Sequence, residues 1–396
     1  MYRTIDVHVD ESSWPGVGKT PSFPPAFTAG TNNFNLNINA MLLMIGYLTT
    51  PTSVTGVSLA EFWAWVRYLA AITPHDADLR LTRSYADLDA HQKTILSDDF
   101  GMGVPIVWLI KHLPLVEIVD GRYFLQRYGA RHGAHQHRTA KRGPNKTPDF
   151  VARDRDGNWH ILECKGTQSG EAFRNRQINS GVSQKLSIIF PSGHTGQRLV
   201  SGLSIGIEDG NSSHLRIIDP VPDDPVTIAE SELEFAQDAA TRGVMAKLLR
   251  STGFEISAEA VAAPFGKPQA MPPSKRKADK KRVEYIADRD RRAREELLES
   301  TSRDHLFNGR YRGREVTFQL PRPIYIRDVA ISKVTVRQGI NLDALDLLRE
   351  QPTIDALVDP SRNNWIDMMG TNIISDDEQA ATLQIGDIFR SEMILE

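Results

Sequence analysis

The sequence predicts a mixed α/β protein. Three observations carry that expectation: β-rich runs punctuated by Asp-Gly pairs between residues 115 and 165, helical patterns alternating with strand candidates to about residue 220, and helix-rich and strand-rich stretches on either side. With 396 residues the chain can form two or three domains and bury a sizeable core. Its 40% hydrophobic and 24% charged content is that of an ordinary globular protein. A formal charge of −3 decides nothing about nucleic acid, because local distribution matters more than the sum.

Several classes are excluded early. One cysteine, Cys164, rules out an internal disulfide framework and a cysteine-rich zinc site, which fits a reducing cytoplasm. "MYRTIDVHVDESSWPG" has no apolar core of signal-peptide length, and the most apolar stretches, Ala40–Leu48 and Phe62–Ile72, are too short or too polar to cross a bilayer. The expected setting is the cytoplasm, with no membrane partner.

Residues 1–32, rich in Pro, Gly, Ser and Thr, read as an extended arm or irregular lid. Helical patterns follow near Leu36–Leu48 and from Ser58, an N-cap with Glu61 three residues on, through "LAEFWAWVRYLAAI"; together they suggest a small helical domain or brace. "GVPIVWLIKHL" reads as a buried helix beginning near Phe100, and "LVEIVDGRYFLQRYG" as two strands joined at Asp120-Gly121. Another helix is expected near 171–187 and strands at "GLSIGIE" and "HLRIIDP". "FAQDAATRGVMAKLLRSTGF" is helical, "PFGKPQAMPPSKRKADKKR" a basic linker, and "VEYIADRDRRAREELLE" a charged helix. Strand candidates "REVTFQL" and "PIYIRDVAISKVTV" lie beyond residue 310. The expected divisions are 1–94 (arm and helices), 95–225 (mixed α/β domain), 226–305 (helical and basic linker region) and 306–396 (mixed C-terminal domain).

The chemistry concentrates in "TPDFVARDRDGNWHILECKGT", residues 147–167. Asp156-Gly157 marks a hairpin. A two-residue loop pairs position 149 with 164. A three-residue loop, with Gly157 in the left-handed position, pairs 149 with 163. Only the three-residue loop puts Asp149, Glu163 and Lys165 on one face and Phe150, Leu162 and Cys164 on the other, and it is the register expected here. Two carboxylates about 4 Å apart repel by ~1 kcal/mol in water and ~4 kcal/mol at an effective dielectric of about 20. A divalent cation between them removes that cost, and hard oxygen ligands with room for water and phosphate suit Mg²⁺. A neighbouring lysine orients a water or stabilises charge on phosphorus. The plain alternative is a solvated hairpin with a chance Glu-x-Lys pair.

Pro148-Asp149, a hairpin, then Glu163-Cys164-Lys165 resembles the motif of the PD-(D/E)xK nuclease superfamily, over about residues 95–220. The resemblance implies a restriction-endonuclease-like core in which Asp149, Glu163 and the Cys164 carbonyl bind Mg²⁺ (or Mn²⁺) and Lys165 positions water for attack on a DNA phosphodiester. It further suggests an acid from the preceding helix, Asp98 or Asp99 (caps, on the plain reading) or more weakly Glu117, and a polar residue from the following helix, Gln184 of Gly181-x-x-Gln, with Gln177 two turns away. Double-strand cleavage would favour a homodimer. Long flanks resemble effectors of bacterial restriction or anti-phage defence, with a partner protein. Two other readings stay open: a non-catalytic nucleic-acid-binding or scaffold subunit, and an RNA-directed nuclease.

"GARHGAHQHRTAKRGPNK" places Arg131, Arg138, Lys141, Arg142 and Lys146 just before the site, with no acid, and suits a phosphate backbone, the plain alternative being a solvated insertion. Zinc on His132, His135 and His137 lacks cysteines and a regular helix. The Lys275–Arg282 patch is either a nucleic-acid grip or a solubilising linker. "GVGKT" at 16–20 lacks the first glycine and a preceding strand, and is a decoy. Phe62, Trp63, Trp65 and Tyr68 suit packing, or a stacking surface.

Overall fold

Two β-sheets sandwich a helical layer. The computed structural model describes residues 1–16, 18–52, 68–131, 147–184, 188–221, 226–262, 277–299, 304–326, 329–350, 368–376 and 379–396. The first sheet has seven strands: β1 (Tyr2–Val9), β2 (Gly30–Asn37), β3 (Leu115–Asp120), β4 (Phe150–Asp154), β5 (Trp159–Thr167), β6 (Thr195–Ser204) and β7 (His214–Ile218), in spatial order β2-β1-β7-β6-β5-β4-β3. The β1–β7 and β5–β6 pairs are parallel and the remaining neighbours antiparallel, so the sheet is mixed.

The β4–β5 hairpin takes the three-residue loop. Phe150 pairs with Leu162 and Arg153 with Trp159, the amide of Asp154 donates to the carbonyl of Asn158 at 3.0 Å, and Gly157 has φ +84°, a conformation that glycine adopts without a Cβ penalty. Phe150, Leu162 and Cys164 accordingly face the core under helix α2 (Ala90–His112), with Leu96, Phe100 and Val104. Close approach of that helix depends on a glycine pair: a Cβ on Gly166 would lie 1.7 Å from the Ser97 carbonyl oxygen, and one on Gly101 2.6 Å from the Gly166 nitrogen.

Helix α1 (Ile38–Thr49), capped by Asn37 accepting from the Ala40 amide, is buried on every side from Ile38 to Leu48. It lies with α2 between the first sheet and the second, an antiparallel six-stranded sheet in the order β8 (Asp304–Leu306), β9 (Tyr311–Ile326), β10 (Val329–Asn341), β13 (Phe389–Leu395), β12 (Ala380–Ile385), β11 (Asn372–Asp376). On the far face of the first sheet sit α3 (Gly121–Arg131) and α4 (Glu171–Gln184). Helix α5 (Leu233–Ser251) runs along the β3 edge, then α6 (Glu255–Ala262) and α7 (Lys277–Leu298); α8 (Leu342–Glu350) follows β10. Among the described residues no helix is long and apolar enough to cross a membrane.

Four expectations are corrected. Residues 1–32 are not an arm: Tyr2–Val9 alternates buried Ile5, Val7 and Val9 with half-exposed Thr4, Asp6 and His8, and fills an interior position of the sheet, so the 94/95 division cuts across one sheet. "GRYFLQRYG" is helix α3, not a second strand. Phe124 and Tyr128, four residues apart, stack with centroids 6.3 Å apart and bury against Trp159 and Phe190, a helical spacing that outweighs the Asp-Gly turn signal. Helix α2 starts at Ala90, where Asp89 accepts from the amides of His91 and Gln92, so Asp98 and Asp99 lie inside the helix and cap nothing. Lys277 to Arg282 open α7 rather than close a linker. Phe62, Trp63, Trp65 and most of the helix expected after Ser58 lie outside the described residues, as do His132, His135, His137, Lys275 and Arg276.

Candidate active site

Asp149 directly precedes β4, and Glu163 and Lys165 lie on β5 with one residue between them. The observed register sets 149 opposite 163, and the two-residue alternation keeps all three on the face away from α2. The Cys164 amide donates to Asp149 Oδ2 at 2.7 Å, tying the carboxylate to the neighbouring strand. Lys165 Nζ lies 2.7 Å from Glu163 Oε1, while the other Glu163 oxygen, Oε2, is buried and has no hydrogen-bond partner. The Cys164 thiol points the opposite way, 3.5 Å from Ser201 Oγ, and burial pushes its pKa far up, which leaves it inert.

Electrostatics bind the group together. Burial, then the nearby Glu163, pushes the Asp149 carboxyl up to about 7, against the pull of Lys165 and the Cys164 amide. Asp98 also raises Asp149, and is itself raised by burial while Lys165 pulls it down. Burial works against the Lys165 ammonium, yet Asp149 and Glu163 outweigh it and hold its pKa above the ordinary value.

Asp98, on α2, thus lies within electrostatic reach of Asp149 and Lys165. Asp99 instead accepts from the Tyr68 hydroxyl, and Glu117 is sealed in the core, 2.7 Å from Arg153 Nε and 2.6 Å from the Thr241 hydroxyl. Helix α4 closes the other side: a Cβ on Gly181 would lie 3.6 Å from Lys165 Cε and 3.7 Å from Glu163 Cγ. Gln177, one turn before Gly181, shares that face, and position 184 lies one turn after it. The Gln177 Oε1 is buried without a partner, while the Gln184 side chain lies outside the described residues.

The basic segment departs from Arg131 at the end of α3 and returns at Thr147, two residues before Asp149. Arg138, Lys141, Arg142 and Lys146 lie outside the described residues, as does the Arg131 side chain. The sequence reading missed a polar row on the same sheet face. Lys165 continues through Gly202, Arg216, His8 and Thr31, with Arg216 Nη2 2.7 Å from Asp10 Oδ2. Its signal was the alternation in His8, His214 and Arg216, and only strand order joins them to the site.

The donor set fits a hard divalent cation: an orphaned buried carboxylate oxygen beside a second carboxylate whose ionisation that neighbour opposes. The protein supplies few ligands. Among the described residues no group of three or more His, Cys, Asp and Glu side chains is gathered closely enough to hold a metal, so any cation here would take much of its shell from carbonyl, water and phosphate. No protein-family model, curated protein or solved structure matches the chain.

Proposed function

We propose that the chain is a metal-dependent nuclease that hydrolyses DNA phosphodiesters, with a restriction-endonuclease-like core of the PD-(D/E)xK type. One observation carries the reading: Asp149, Glu163 and Lys165 meet on one sheet face around a buried, unpartnered Glu163 oxygen. The order of elements supports it, with Asp98 on the preceding helix and Gln177 on the following one.

Asp149, Glu163 and the Cys164 carbonyl would hold Mg²⁺, or Mn²⁺ in its place. Bound there, the cation neutralises the carboxylate pair and stabilises charge gathering on the scissile phosphate. Lys165, held by Glu163 and only about a quarter exposed, is placed to orient the attacking water and donate to a phosphate oxygen. The Cys164 amide keeps Asp149 turned toward Glu163. The basic segment before Asp149 tracks the phosphate backbone, and two copies would serve a double-strand cut.

Plasmid cleavage with Mg²⁺ or Mn²⁺ tests the proposal. Lys165→Ala and Glu163→Gln each lose about 10²-fold or more of the rate, with the fold intact by circular dichroism. Cleavage unchanged in Lys165→Ala removes the mechanism. Binding without cleavage by the wild type, with either metal, points to a non-catalytic subunit. Parallel DNA and RNA substrates separate the two polynucleotides.

A further inference from the structure

The outer face of the second sheet holds a recess that the nuclease reading does not use. Along β10, Val336 and Ile340 bury inward, so Arg337 and Gly339 face out; their partners across β13, Glu392 and Arg390, face out with them. A recess of about 390 Å³ opens there, lined by His305, Asn308, Arg310, Glu315, Arg337 and Arg390.

Its floor is built with strain. Phe307, Asn308 and Gly309 all have positive φ (48°, 62° and 79°), a conformation that a bulky residue such as Phe307 adopts only where its surroundings hold it. It lays the Phe307 ring over Gly339, where a Cβ would come within 3.5 Å of two ring carbons, and under Arg390, whose guanidinium carbon stands 4.6 Å from the ring centroid. Arg390 is thereby oriented and only partly satisfied: its Nη2 forms an ion pair with Glu392 at 3.6 Å, while its Nε is buried with no hydrogen-bond partner. Arg337 is already paired, 2.6 Å from Glu315 and 3.4 Å from Glu392, whereas Arg310 makes no ion pair among the described residues. Two guanidiniums, an imidazole and an amide thus converge on a small concavity, which suits a phosphate.

Arg310 also lines a second, larger recess of about 750 Å³. There the chemistry reverses: Asp343, Asp346 and Asp387 offer acceptors, and Tyr311, Leu342 and Met368 offer apolar surface. A ligand crossing the Arg310 seam needs an anionic end for the first recess, and hydroxyl or amino donors on an apolar ring for the second. We propose that this face of the second sheet binds a nucleoside phosphate, with the phosphate between Arg310 and Arg390 and the nucleoside against the aspartates. The volumes fit a small-molecule site rather than a groove that tracks a polynucleotide.

Calorimetric titration of the full chain, in EDTA so that no cleavage intervenes, tests this with ATP, GTP, CTP, UTP, AMP, adenosine and inorganic phosphate. At least one nucleotide binds with Kd below about 100 µM, and tighter than both adenosine and phosphate. Arg310→Ala, at an exposed position, and Arg390→Gln each weaken it at least tenfold; Asp343→Asn weakens nucleotides without changing the response to phosphate. Lys165→Ala leaves binding unchanged, so the result is independent of the nuclease reading. The proposal falls if no nucleotide binds below about 1 mM, if Arg310→Ala binds like wild type, or if phosphate alone binds as tightly as every nucleotide. It also falls if a DNA duplex displaces the nucleotide from wild type and itself loses affinity in Arg310→Ala, since the recess would then be a polynucleotide contact.

Discussion

Asp149 is the residue on which chemistry and stability pull in opposite directions. Burial and Glu163 hold its carboxyl near 7, far above its value of 3.8 in an unstructured chain. A carboxyl raised by folding favours the folded state below its unfolded pKa, and that advantage is lost as pH rises through the folded pKa. Stability therefore declines between about pH 4 and pH 7 on account of this group. Asp149→Asn keeps an acceptor for the Cys164 amide and removes the charge. It should raise the urea midpoint at pH 8 by the equivalent of roughly 1–3 kcal/mol, with little gain at pH 4. A gain of equal size at both pH values would show that the carboxyl is not held as described. Added Mg²⁺ should shrink the gain at pH 8, because a cation between Asp149 and Glu163 relieves the same repulsion. The Asp238 carboxylate shows the opposite case. It lies 2.8 Å from Arg242 and 3.2 Å from Arg127, all three buried, so Asp238→Ala takes their shared carboxylate from two buried guanidiniums and should cost about 3 kcal/mol in chemical denaturation.

Among the elements, the pairing of α2 with β5 sets how near Asp98 comes to Asp149. The helix lies on the strand only because Gly101 and Gly166 meet without side chains. Gly166→Ala places a methyl against the Ser97 carbonyl and should destabilise by about 2 kcal/mol or more. On the nuclease reading it should also reduce Mg²⁺-dependent cleavage, because it shifts β5, which carries Glu163 and Lys165. A variant with wild-type denaturation would refute the close approach. The hairpin itself was legible down to two registers: an Asp-Gly turn and a period of two allow a two- or a three-residue loop, and the three-residue loop expected is the one observed, with the three residues on one face. Helix α3 was misread because Asp120-Gly121 followed by aromatics matches turn chemistry and β propensity equally well, and only burial against Trp159 and Phe190 settles the period. Asp98 and Asp99 could not be separated, since adjacent helical positions differ by about 100° and the phase is set by which side meets the strand.

At the scale of the molecule, the seven-stranded sheet draws on residues more than two hundred positions apart. Tyr2–Val9 pairs in parallel with His214–Ile218, and Ile5 and Val7 complete a core shared with α1. A fragment spanning residues 95–225 should therefore fail to fold on its own, because it exposes the β7 edge and the surface that α1 covers. Circular dichroism and solubility of that fragment check this; a cooperative melt like that of the full chain would contradict it.

Local pattern, by itself, determined the mixed α/β class, narrowed the β4–β5 hairpin to two registers and named the one that groups Asp149, Glu163 and Lys165. Each depends on neighbours within about twenty residues, where turn chemistry and side-chain alternation leave few options. The tertiary structure alone decided the rest: that the first strand is interior, that Asp99 is held by Tyr68 while Asp98 stays within electrostatic reach of Asp149, that Glu117 is buried against Arg153 and Thr241, and that arginines from β10 and β13 meet at one recess. Those outcomes are set by which surfaces bury against each other over long separations in the chain, and local propensity carries no term for that.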